Sequence, residues 1–273
     1  MSAAAPLPRT AVVTGTARPT GIGRACARAF LRAGYRVLGV DKLKLQDTDP
    51  DEALGPHYAH VVIDVAAPAE VGFVPTACRQ QFGSADVHAL INKRQRRRCS
   101  TGGAFLMSQA VLPHMPAGDA AIIHISSTRA HQSEPHSEAY AAAKAGMLGL
   151  THAQAVSLAH RVRVNAVLPG WIDTSGEPAS ITPADHAWHP AGRVGWPEDV
   201  AELCLFLADS SRAGFITGQE FVVDGGLSKK MVYPEEELEQ QQQQQQQPET
   251  AARGQAQQAA AEDEEQPPMV WPE

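Results

Sequence analysis

Short β-branched or apolar runs alternate with longer Ala-rich or amphipathic stretches, and this alternation restricts the fold more than any other feature of the chain. The expected strands are Ala11–Thr14, Arg36–Val40, Val61–Ile63, Val87–Ile91, Ala121–Ile125, Val162–Ala166 and Glu220–Val223. Between them the sequence predicts helices over Gly21–Ala33, Ala69–Phe82, Ala104–Met115, Glu138–Ala159 and Pro197–Asp209, the last with its proline in the first turn. Strand followed by helix, repeated, builds right-handed crossovers that cover both faces of a parallel sheet. The predicted fold class is therefore α/β: a doubly wound parallel sheet of the Rossmann type, in a single domain.

Charge marks where that domain should end. From Pro234 onward ten acids stand against one base, so the tail carries −9 of the net −7 and residues 1–233 carry +2. Eight consecutive glutamines, Gln240 to Gln247, and few large apolar residues leave this tail too little to bury to offset its ordering entropy. Residues 1–233 are expected to fold, and 234–273 to form a disordered Gln/Glu-rich tail able at most to recruit partners. No apolar run approaches the ~20 residues of a membrane span. Met1–Arg9 lacks the basic start and apolar stretch of a secretory signal. Cys26, Cys78, Cys99 and Cys204 are scattered without a Cys-x-x-Cys pair, which argues against a disulfide framework and against a zinc knuckle. The expectation is a cytoplasmic protein with no membrane and no metal.

Glycines punctuate the end of the first strand. Val12-Val13-Thr14-Gly15 closes it, and Gly21-Ile22-Gly23 opens the first helix. A backbone free of side chains can approach a pyrophosphate, whose charge suits the free N–H groups of a helix start. Asp41, eighteen residues after Gly23, ends the second strand, where a carboxylate accepts from an adenosine ribose and repels a 2′-phosphate. Arg18 and Lys42 favour such a phosphate, so the expectation is NAD, with NADP possible. Taken alone, these glycines need only make a turn.

Further along, Ser126-Ser127 follows the strand Ile122–Ile125, at the carboxyl edge where open α/β sheets bind ligands. Tyr140 comes thirteen residues later and Lys144 four after that, a helical spacing that puts both on one face. An ammonium about 5 Å from a phenol favours the phenolate by ~3 kcal/mol at an effective dielectric of ~20. That makes a tyrosine usable as an acid or base near neutrality. Alone, the pair is often just solvated.

Together these pieces resemble the short-chain dehydrogenase/reductase family. Thr14-Gly15 with Gly21-Ile22-Gly23, Asp64-Val65, Ile125-Ser126-Ser127, Tyr140-Ala-Ala-Ala-Lys144, Arg163-Val164-Asn165, Pro169-Gly170-Trp171-Ile172-Asp173-Thr174 and Val223-Asp224-Gly225-Gly226 run in family order. The resemblance implies a nicotinamide dinucleotide, a small carbonyl or alcohol substrate, and a homodimer or homotetramer. It implies Tyr140 as the residue exchanging the hydroxyl proton and Ser127 as donor to the substrate oxygen. Lys144 would hold the nicotinamide ribose and favour the phenolate. Asp64 would sit at the adenine, Ile172 against the nicotinamide and Thr174 near its carboxamide, and Val65, Asn92, Pro169 and Gly170 would also bind the cofactor.

Two departures stand out. Five residues, not three, separate Thr14-Gly15 from Gly21-Ile22-Gly23. After Leu90-Ile91-Asn92 the family's small Asn-Ala step is replaced by Lys93-Arg94, and Lys93 to Arg98 holds five bases in six residues. The run reads as a solvated loop, as a nuclear-import or nucleic-acid patch, or as intron or out-of-frame translation in a predicted gene. No aromatics interleave with it, so nucleic acid is not the expected partner. Ser100 falls where the family has a helix asparagine. This rewritten segment motivates the rival function, a cofactor-binding pseudoenzyme or regulatory protein.

Overall fold

The computed structural model describes residues 8–45, 54–93 and 100–231. The boundary expected near Tyr233, the tail 234–273, the arginine run 94–98 and Cys99 lie outside the described residues. The compact unit ends at Ser228.

In chain order the elements are β1 (Thr10–Thr14), α1 (Ile22–Arg32), β2 (Arg36–Asp41), β3 (Tyr58–Val62), α2 (Pro68–Val71), α3 (Val74–Phe82) and β4 (Ala89–Asn92). They continue with α4 (Ser100–Val111), β5 (Ala121–Ile125), α5 (Glu138–Ser157), β6 (Arg163–Pro169), α6 (Pro183–Trp188), α7 (Pro197–Ala208), α8 (Ser210–Ala213) and β7 (Glu220–Val223). The strands form one parallel sheet ordered β3-β2-β1-β4-β5-β6-β7. This is the doubly wound α/β fold expected from the alternation.

Period-two alternation along the strands assigns side chains to the two faces. Ala11 and Val13 of β1 join Phe30 of α1 and Leu207 of α7 on one face. Val12 between them joins Val74 of α3 and Met107 of α4 on the other. Burial on both faces explains why these strands read as unbroken apolar runs.

Differences from expectation have local causes. The helix expected over Ala69–Phe82 breaks at Gly72 and Phe73, between α2 and α3; glycine is a poor helix former, and Pro75 suits the first turn of the second piece. β6 runs on to Pro169 because Pro169 pairs with Val223. Helices α6 and α8 were not expected. The first carried a readable signal, since Thr182 and Asp185 form a reciprocal capping box, with Asp185 N–H to Thr182 Oγ1 at 3.2 Å and Thr182 N–H to Asp185 Oδ2 at 2.8 Å. Among the described residues no helix is long and apolar enough to cross a membrane.

The consequence for function lies at one edge. Parallel strands bring Thr14, Asp41, Asn92, Ile125 and Pro169 to the same carboxyl rim. Chain order reverses between β1 and β4, which is where open α/β sheets leave a crevice.

Candidate active site

Two clefts lie along this rim. Thr14, Gly15, Asp41, Asp64 and Val65, all expected at a cofactor, line the first, together with Arg18 and Lys42. Gly15 has φ +78°, and a Cβ on it would meet the Lys93 carbonyl oxygen at 2.6 Å. A Cβ on Gly23 would stand 2.3 Å from the Gly15 oxygen, so Gly23 serves loop-to-helix packing and does not line either cleft. Gly21 caps α1 without a side-chain bond, and no acid occupies its first turn. The helix start is left for an anion.

The two extra residues of the glycine loop bulge outward. Arg18 and Thr20 are exposed, Gly21 N–H closes a turn on Arg18 at 3.2 Å, and the Thr20 hydroxyl donates across the rim to the Thr174 carbonyl at 2.8 Å. Asp41 organises the opposite wall: its two carboxylate oxygens accept from Ala17 N–H at 3.0 Å and Leu43 N–H at 3.2 Å. Asp64 Oδ1 accepts from Ala66 N–H at 3.0 Å.

Ser127, Tyr140 and Lys144 line the second cleft, with Ile22, Pro169, Gly170, Ile172 and Thr174. The spacing of four on α5 does bring phenol and ammonium to one face. Ser126 ties that helix to the sheet, its hydroxyl donating to the Lys144 carbonyl at 2.8 Å. Lys144 Nζ donates to the Ile125 carbonyl at 2.9 Å and lies 5.7 Å from the Tyr140 ring centroid. The Ser127 hydroxyl donates to Pro169 O at 3.4 Å and accepts from Arg129 N–H at 3.2 Å. Trp171 packs against the buried His189, ring centroids 5.8 Å apart, so this histidine fills space behind the segment that follows β6.

Asn92 departs from its expected place. It is buried beneath the floor, its amide within 3.3 Å of His124 Nδ1 and 3.4 Å of the Ala104 carbonyl. It lines neither cleft. Lys93, the next residue, lines both.

Burial, reinforced by repulsion from Lys93, pulls the Lys144 pKa down to about 7. Burial likewise pulls Lys93 down to about 8. Neither ammonium is secure in the protein alone, because a low-dielectric site penalises the charged form. An anion between them would restore both. The site thus fits a dinucleotide: an acid at the adenosine end, an open helix start, and two cations short of counter-charge.

Sequence and structural relatives identify the family. The family model described as Enoyl-(Acyl carrier protein) reductase matches residues 94–228. An uncharacterized oxidoreductase of Thermotoga maritima is 38% identical over 83% of this chain and 98% of its own. Cis-4-hydroxycyclohexanecarboxylate dehydrogenase of Sinomonas cyclohexanicum is 37% identical over 80% of this chain and 96% of its own. A solved short-chain dehydrogenase/reductase of Serratia marcescens superposes with a TM-score of 0.69 at 28% identity, covering 82% of this chain and 100% of that one. Fold, motif order and relatives converge: the chain belongs to the short-chain dehydrogenase/reductase family.

Proposed function

We propose that this oxidoreductase moves a hydride between a nicotinamide dinucleotide and a small carbonyl or alcohol. The observation that carries the reading is the convergence of Ser127, Tyr140 and Lys144, from two elements, in a cleft adjoining the Asp41 cleft. Bound cofactor supplies or accepts the hydride. Ser127 donates to the substrate oxygen, and Tyr140 exchanges the proton at that oxygen. Lys144 holds the ribose hydroxyls and, when protonated, favours the phenolate. Asp41 and Asp64 hold the adenosine, the backbone from Gly15 to Gly21 faces the phosphates, and Ile172 and Thr174 bound the nicotinamide.

Asp41 favours NAD, since a carboxylate there repels a 2′-phosphate; Arg18 and Lys42 beside it leave NADP a weaker second cofactor. The short segment from Asp173 to Pro190 suits a small substrate. A panel of ketones and secondary alcohols assayed with both cofactors tests this, with turnover and a higher kcat/KM for NAD(H) expected. Thermal stabilisation by NADH with no turnover would instead support a cofactor-binding pseudoenzyme, the reading favoured by an ammonium set between the clefts.

For assembly we propose a homodimer or homotetramer through the adjacent helices α4 and α5. Phe105 on α4 is 48% exposed and Val156 on α5 is 77% exposed, apolar surface that a second copy would cover. The double variant Phe105→Glu with Val156→Glu should run as a monomer in light scattering. An unchanged mass would show that the contact lies elsewhere.

A further inference from the structure

Resting on the dinucleotide reading, we propose that Lys93 is the hold for the cofactor's diphosphate, its side chain folded back across Gly15 to deliver an ammonium where the two clefts meet. Its main chain is fixed by Thr14, whose hydroxyl accepts from Lys93 N–H at 2.8 Å and lies 3.0 Å from the Lys93 carbonyl. With the backbone held, the side chain has one way to run. Its Cδ passes 3.2 Å from where a Gly15 Cβ would stand.

Lys93 is only 7% exposed, yet among the described residues no hydrogen bond or ion pair reaches its Nζ. Cys26 and Asp41 favour its charge and Arg18 opposes it; among the described residues none of them forms an ion pair or hydrogen bond with Lys93, and the Asp41 carboxylate is turned to Ala17 N–H and Leu43 N–H. Lys144, behind it, is itself weakened by Lys93. A buried ammonium without a counter-ion is costly. Beside it stands the uncapped start of α1, an eleven-residue helix with no acid in its first turn. Two independent positive sources thus face the same stretch of cleft.

A dinucleotide's diphosphate carries two negative charges midway between its nucleosides, and the meeting point of the clefts is the matching place. The family resemblance puts a neutral residue at this position, so the hold belongs to this chain. An ammonium on phosphate forms charge-assisted hydrogen bonds, strong enough to change affinity about tenfold or more.

The test is isothermal titration of the wild-type, Lys93→Met and Lys93→Arg chains with NADH and with inorganic pyrophosphate, at low and high salt. The expected result is at least about tenfold weaker binding of both ligands by Lys93→Met, recovery in Lys93→Arg, and a shallower salt dependence in the methionine variant. The ligand-free methionine variant should also melt higher than wild type, having lost an unpaired buried charge. Equal or tighter NADH binding by Lys93→Met would mean that the side chain obstructs the cleft, and the proposal would be overturned. If wild type binds pyrophosphate through Lys93 but not NADH, the oxidoreductase reading falls and the anion hold stands. Binding of neither ligand overturns both.

Discussion

Replacing Tyr140 with phenylalanine is expected to lower turnover by at least about 10²-fold, the low end of what a positioned acid or base contributes, while NADH affinity stays within about twofold. The substitution removes one oxygen and keeps the ring. The neighbours hold their positions without that oxygen: Lys144 is anchored by the Ile125 carbonyl, its own carbonyl by Ser126, and Ser127 by Pro169 and Arg129. The loss should therefore fall on kcat and spare the melting temperature. Retained turnover would remove Tyr140 from the chemistry.

The second large effect concerns pH. A lysine in an unfolded chain loses its proton near 10.4, whereas burial holds Lys144 near about 7 and Lys93 near about 8 in the folded, ligand-free protein. Between those values and 10.4 the unfolded chain binds more protons than the folded one, so stability rises with pH. Below about 7 both lysines are protonated in either state and the slope from them vanishes. From pH 7 to 9 the gain is of order a few kcal/mol. His124 adds a slope of the same sign at lower pH, since burial pulls its imidazole down to about 4. Above about pH 9 the Cys78 thiol, pushed up to about 12, acts oppositely. Urea melts of the ligand-free protein at pH 7, 8 and 9 should show rising midpoints, and saturating NADH should flatten the rise by supplying a counter-charge. Midpoints that fall or stay level without ligand would contradict the burial of the two ammonium groups.

Much of this molecule was legible in the sequence because its signals are local. A strand buried on both faces, such as β1, β4 or β5, announces itself as an apolar run, and together with the part-buried edge strands β3 and β7 seven short runs gave the sheet. The Tyr140 to Lys144 spacing is fixed by helix geometry, so their common face followed from counting. The fate of Lys93 depended instead on a long-range contact. Thr14, seventy-nine residues earlier, pins its backbone, and no pattern within one segment encodes that grip. Asn92 was misplaced for the opposite reason: its position at a strand end was right, but alternation along β4 turns it down toward His124. The break between α2 and α3 has a local signal in Gly72 and Pro75.

The central claim is that one dinucleotide spans the rim from Asp41 to Tyr140 with its diphosphate at Lys93. Diffraction from the chain crystallised with NADH tests it most directly. The account predicts adenosine at Asp41, diphosphate within hydrogen-bonding reach of Lys93 Nζ and the α1 start, and the nicotinamide in the cleft of Ser127, Tyr140 and Lys144. A nicotinamide kept out of that cleft by the Lys93 side chain would contradict it.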